Sequence, residues 1–162
     1  MIPAPPTAVH LVVGGRRRIL PVVGAGHYGR RMLTIRAPFA ITPRPSSSPA
    51  DTDVPVVGVT TFDKVFAGPS LVGTSVVQMV SAVGGTGPLC YVALERVEGS
   101  LDGVPGAFAL QHVGVVVAGV PSLALAVVTG SGTGALANLS GSGTIEHTAD
   151  GTFLSLVYSL PV

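Results

Sequence analysis

From residue 32 to its end the chain is a succession of eight short apolar runs, each closed by glycine, proline or a polar turn. They are MLTIRAPFAI (32–41), VPVVGVTTFDKVFA (54–67), SLVGTSVVQMVSAV (70–83), LCYVALERVEG (89–99), GAFALQHVGVVV (106–117), SLALAVVTG (122–130), SGTIEHT (142–148) and TFLSLVYSL (152–160). Such β-branched runs between turn residues read as strands, and no stretch carries a sustained helical stripe. Only ALANL (135–139) allows a single helical turn. Sequential antiparallel strands with mostly short connections hide their edges by closing on themselves. The expected fold is all-β: an eight-stranded antiparallel β-barrel with at most one short helical turn. At eight strands the interior is either filled by side chains or holds one small ligand.

The 162 residues suit one domain with a core large enough to fold alone. With 47% hydrophobic and 10% charged residues, 22 glycines and 14 prolines, the chain hides much aliphatic surface and turns often. Three tyrosines, five phenylalanines and no tryptophan cannot supply the aromatic girdles of an outer-membrane barrel. The longest apolar run, 113–128, is interrupted by Pro121 and Ser122 and is too short to span a bilayer as a helix. The N-terminus lacks the basic-then-apolar order of a signal peptide. The chain is therefore expected to be soluble and cytoplasmic, with no membrane partner.

Charge divides the sequence. Residues 1–50 hold seven arginines and no acid, whereas Lys64 and Arg96 face all eight acids afterwards, a net of −6. Residues 1–31 carry no regular strand pattern and read as a flexible, basic Pro/Gly/Arg-rich leader, with residues 32–162 as the barrel domain. The arginines show no helical period and no nucleic-acid motif, so no nucleic-acid partner is expected. Cys90 is alone, which excludes an intrachain disulfide and a cysteine metal cluster. The histidines at 10, 27, 112 and 147 lack metal-ligand spacing, so neither metal nor other cofactor is expected. GAGHYG (24–29) matches a dinucleotide fingerprint in letters, but residues 30–45 carry no helical pattern and no acid for a ribose. TGSGTG (129–134) lacks the lysine of a P-loop; Gly130, Gly132 and Gly134 are expected to serve backbone geometry instead.

The chemistry-bearing residues cluster around one turn. Asp102-Gly103 is a two-residue hairpin signal, because both central positions of a type I′ turn need positive φ. In that register Leu101 faces Val104, Glu95 faces Leu110, and His112 faces Ala93, one diagonal step from Glu95. Diagonal neighbours on one face lie about 7–8 Å apart at the backbone, within reach of long side chains. The same face carries Tyr91, Val97 and Phe108, and suits the interior; Arg96, Glu98 and Gln111 share the opposite face with Val92, Leu94 and Ala109. Glu95 and His112 are thus expected to meet inside the barrel. Such a pair can be a structural strut. It can also be a functional one, since a buried ionisable pair is costly and its protonation equilibria are open to shifts that suit acid–base work.

YVALERVEGSLDGVPGAFALQHVG (91–114), VVTGSGTGALANLSGSGTI (127–145) and LVYSLP (156–161) together resemble a bacterial domain-of-unknown-function family numbered 3224, over residues 32–162. The resemblance implies a calycin-like barrel similar to plant allene oxide cyclase, whose strand and glycine turn are similar to 126–145 here. It carries Glu95, Gln111 and His112 as positions of the family pattern, and implies a greasy cavity of the kind in which cyclases steer ring closure.

These features support three readings. The first is a cofactor-free isomerase or cyclase acting on a small hydrophobic, polyketide- or lipid-like substrate. Tyr91, Phe108, Leu110 and Tyr158 would line its cavity, while Glu95 and His112 position the substrate or move a proton. Folding a flexible substrate into a reactive conformer can itself supply several kcal/mol of the barrier. The second is a barrel that binds a small apolar ligand without changing it. The third is a filled barrel working through its outer surface as a protein-interaction module, with a homo-oligomer among the expected assemblies.

Overall fold

The computed structural model describes residues 10–13, 16–19, 31–45, 56–84 and 87–160. Strands β1 (His10–Val13) and β2 (Arg16–Ile19) pair antiparallel with each other in a sheet of their own. Pattern alone does not show this hairpin, because four-residue strands are too short for an alternation to stand out. The only mark is the dipeptide Gly14-Gly15 between them. GAGHYG and residues 46–55 lie outside the described residues.

The remaining strands are β3 (Met32–Pro43), β4 (Val56–Ala67), β5 (Leu71–Gly84), β6 (Gly87–Leu101), β7 (Val104–Val117), β8 (Val120–Val127), β9 (Ser140–Thr148) and β10 (Gly151–Ser159). They form one closed antiparallel barrel in the order β10-β3-β4-β5-β6-β7-β8-β9, so each of the eight expected strands is present. The one helical element among the described residues is the 3-10 turn Gly134–Leu136, and no helix is long and apolar enough to cross a membrane.

Asp102 and Gly103 have φ of 46° and 80°, as a type I′ turn requires. Leu101 pairs with Val104, Glu95 with Leu110 and Ala93 with His112, which sorts the two faces of β6 and β7 as the turn dictates. Tyr91, Ala93, Glu95 and Val97 face inward; Val92, Leu94, Arg96 and Glu98 are exposed. The outer wall is more apolar than strand alternation suggests: Val59, Val80, Val92 and Val113 form one cross-strand row, and all four are exposed.

The two ends of the barrel differ. At the end that carries the β6–β7 turn the interior is filled by Ile35, Phe66, Leu71, Val97, Leu101, Phe108, Leu110, Leu154, Leu156 and Tyr158, all nearly without exposure. Gly73, Gly99 and Gly106 face one another across β5, β6 and β7 here. A Cβ at Gly99 would stand 2.1 Å from the Val72 carbonyl oxygen, so these glycines let the wall bend inward. The β8–β9 connection completes the closure with buried Leu136 and Leu139. Its glycine-rich start runs along β7: Val128 and Thr133 donate backbone N–H groups to the carbonyls of Ala109 and Ala107. The Ser131 and Thr133 hydroxyls accept from the N–H groups of the same two residues. Gly130 and Gly134 have positive φ. Gly132 has another reason to be glycine, since a Cβ there would lie 1.8 Å from the Leu136 carbonyl oxygen.

Candidate functional site

Polar side chains from four consecutive strands meet inside the barrel, at the boundary between its filled half and its open half. The register sets this up. Lys64 on β4 faces Ser75 on β5, Val77 faces Glu95 on β6, and Ala93 faces His112 on β7. Ser75 and His112 are therefore diagonal to Glu95 on either side, and Lys64 lies one strand further. All four are buried, with Glu95 at 1% and Lys64 at 4% exposure.

Glu95 is the hub. Its Oε2 accepts from Lys64 Nζ at 2.8 Å, and its Oε1 accepts from the Ser75 hydroxyl at 2.5 Å. His112 Nε2 lies 2.9 Å from the same Oε2. That separation suits a hydrogen bond, but the carboxylate is out of line with the ring nitrogen, so buried Nε2 has no aligned partner. Burial alone would raise the Glu95 carboxyl; the neighbouring His112, Lys64 and Ser75 outweigh it and lower the pKa from 4.5 to about 2. The aligned bonds from Lys64 and Ser75 are the firmest part of that effect, because charge-assisted donors favour the ionised form. The Lys64 ammonium also stands 4.5 Å from the centroid of the Phe39 ring, whose face attracts cations.

Above this cluster the barrel opens into a cavity of about 240 Å³. Phe39, Ile41, Phe62, Val77, Met79, Tyr91, Ala93 and Ile145 give it mostly apolar walls, and Lys64 and His112 are on its surface; His147 and Thr152 add polar groups. Tyr91 lies across Gly114 on the facing strand, where any Cβ would stand 2.0 Å from the ring. Glycine at 114 thus lets the tyrosine fold over the wall, and burial raises the hydroxyl's pKa.

The structure brings Glu95 and His112 together and puts Tyr91 on the cavity wall. It does not put Phe108, Leu110 or Tyr158 there. All three point inward, but into the packed half: Phe108 and Leu110 lie on the far side of Glu95 from the opening, and Tyr158 donates its hydroxyl to Asp102 Oδ2 at 2.5 Å. Facing inward was legible from alternation, whereas position along the barrel axis was not. Gln111, the third position of the family pattern, is on the outer face. Lys64 and Ser75 are additions to the site. A signal for Lys64 exists, since it alternates with Phe62 and Phe66 and so shares an aromatic face. Among the described residues no three His, Cys, Asp or Glu side chains cluster as metal ligands do.

A family model described as "Protein of unknown function (DUF3224)" matches residues 35–158. The chain is also similar to a solved structure from Shewanella oneidensis, described as a protein of unknown function from the same family. The two are 32% identical with a TM-score of 0.71, over 79% of this chain and 96% of that one. A search of the curated proteins finds no match.

Proposed function

The chain belongs to the DUF3224 family, and from that premise we propose that its barrel is a cofactor-free isomerase or cyclase for a small, hydrophobic, polyketide- or lipid-like substrate. The observation that carries this reading is the buried Lys64–Glu95–His112 cluster at the floor of an apolar-walled cavity. A structural pair needs no cavity above it, and a passive apolar binder needs no buried ions below it. The likeness to allene oxide cyclase is part of the same proposal and supplies a precedent for ring closure steered by a greasy cavity.

The roles divide by basicity. A carboxylate with its pKa near 2 is a weak base, so Glu95 holds Lys64 and stands as the negative charge beside His112. His112 is the proton carrier, and Lys64 donates to a substrate oxygen on which negative charge develops. In a β,γ- to α,β-enone shift, a proton leaves Cα for His112 and returns to Cγ while the double bond moves. Atoms and electrons balance without an oxidant or reductant.

The test is conversion of 3-cyclohexen-1-one to 2-cyclohexen-1-one, followed by NMR in deuterated buffer. The expected result is turnover with deuterium at Cγ that falls about 100-fold or more in His112→Ala, the usual scale for a lost general base. Background-level turnover in the wild type, beside saturable ketone binding, would replace this proposal with the non-catalytic ligand-binding barrel. The depressed Glu95 pKa is the observation that favours that second reading.

A further inference from the structure

The barrel wall is not equally closed all round. Strands β8 and β9 are paired only at Leu125↔Gly143 and Ala126↔Ser142, whereas β7 and β8 are paired along their whole shared length. Beyond Leu125 towards the open end, β8 stays with β7 and β9 stays with β10, so the two diverge. Inside the divergence is a second space of about 370 Å³, with Pro121, Ser122 and Leu123 on one side and Thr144, Ile145 and His147 on the other. It adjoins the cavity above Lys64 and His112, with Tyr91, Ile145 and His147 lining both spaces.

We infer that the β8–β9 seam is the second half of the ligand site, and that the ligand is a neutral carbonyl compound with an apolar tail. The carbonyl oxygen sits on Lys64 and His112, and the tail runs past Tyr91 into the seam. This deepens the proposal above by naming the substrate class.

Two observations choose that ligand. First, the head group must accept hydrogen bonds, since Lys64 can only donate and lines the cavity floor beside His112. Second, Lys64 already has its counter-ion, the ionised Glu95 at 2.8 Å. A carboxylate or phosphate head would add a second buried negative charge to one ammonium, whereas a ketone or enone oxygen adds none. The seam in turn suits a tail, because its walls at Val116, Pro121, Leu123 and Ile145 are apolar.

The experiment uses the full chain and displacement of Prodan, a neutral fluorescent naphthyl ketone, by 2-alkanones from 2-hexanone to 2-dodecanone. The fatty acids of the same lengths form the comparison series. Affinity is expected to rise about fourfold per added methylene while the tail fills the seam, then level off. In Leu123→Trp, which plugs the seam from β8, the rise should stop several methylenes earlier while 2-hexanone binds as before. Val116→Trp plugs it from β7 and serves if the first variant is unstable. In Lys64→Met/Glu95→Gln, which leaves no unpartnered ion, all ketones should weaken by a similar factor, and carboxylates, with no buried ammonium to meet them, should bind no better than to the wild type.

A flat series in the wild type, or plugged variants whose series climb as far as the wild type's, would overturn the seam. Carboxylates that bind as tightly as ketones would overturn the neutral head. These failures are separate from that of the catalytic proposal. Cyclohexenone is too compact to need the seam, so its turnover beside a flat alkanone series would leave the enzyme standing and remove only this inference.

Discussion

At the scale of single residues, the most exacting demand in the molecule is the ion pair of Lys64 and Glu95. Taking either charge out of water costs several kcal/mol, so each is tolerable only because the other is there. Lys64→Met should therefore destabilise by about 3–5 kcal/mol, the penalty for a stranded buried charge, while Lys64→Met/Glu95→Gln should recover most of it. Acid provides the second readout. The Glu95 pKa is lower in the folded chain, about 2, than its ordinary 4.5, so the unfolded state takes up the proton first. This stabilisation is complete above about 4.5 and drains away as pH falls from there through about 2. Urea melts between pH 2 and 6 should show that loss in the wild type and a flatter profile in the double variant. Equal losses in both would mean that other carboxylates govern acid unfolding.

At the scale of elements, connections decide more than strands do. Asp102-Gly103 determines which residues of β6 and β7 share a face, and Tyr91, Val97 and Phe108 mark one face as the inner one, which is why Glu95 and His112 were legible from the sequence. No comparable turn signal accompanies β4. Its exposed face carries Val57, Val59 and Val65, so apolar residues lie on both sides and the 2-residue period is blurred. Lys64 was hidden for that reason, although Phe62 and Phe66 mark its face. Depth along the barrel was hidden for another: strand register fixes neighbours, while which end is filled depends on the caps Leu136 and Leu139, far away in sequence. Their loop makes a prediction of its own. Gly132→Ala pushes a Cβ against the Leu136 carbonyl, a backbone atom that cannot swing aside. The expected loss is about 2 kcal/mol or more, the range of overpacking and backbone displacement. Thermal melts would check it, and phosphate should give no protection, since the segment's hydroxyls accept from Ala107 and Ala109 of β7. A neutral Gly132→Ala would show that the turn at 134–136 gives way cheaply.

At the scale of the whole molecule, the barrel closes through β9–β10 and β10–β3, and neither of the strands described before Met32 takes part. Strands β1 and β2 satisfy each other's pairing and are hydrogen-bonded to no strand of the barrel. A two-stranded hairpin is marginal by itself in water, so its formation adds little to a fold whose own edges are already joined. Removing residues 1–31 should therefore move the melting temperature by less than about 2 °C, since 1 kcal/mol corresponds to about 3–5 °C in a domain of this size. The measurement gains force when made with and without a saturating 2-alkanone. If the truncated chain melts like the full one in both states, fold and cavity are properties of residues 32–162 alone. A large drop in the bare protein would instead assign the arginine-rich segment a packing role against the barrel. A drop only in the ligand's stabilising effect would assign it to the open end, as a cover over the cavity floored by Lys64 and His112.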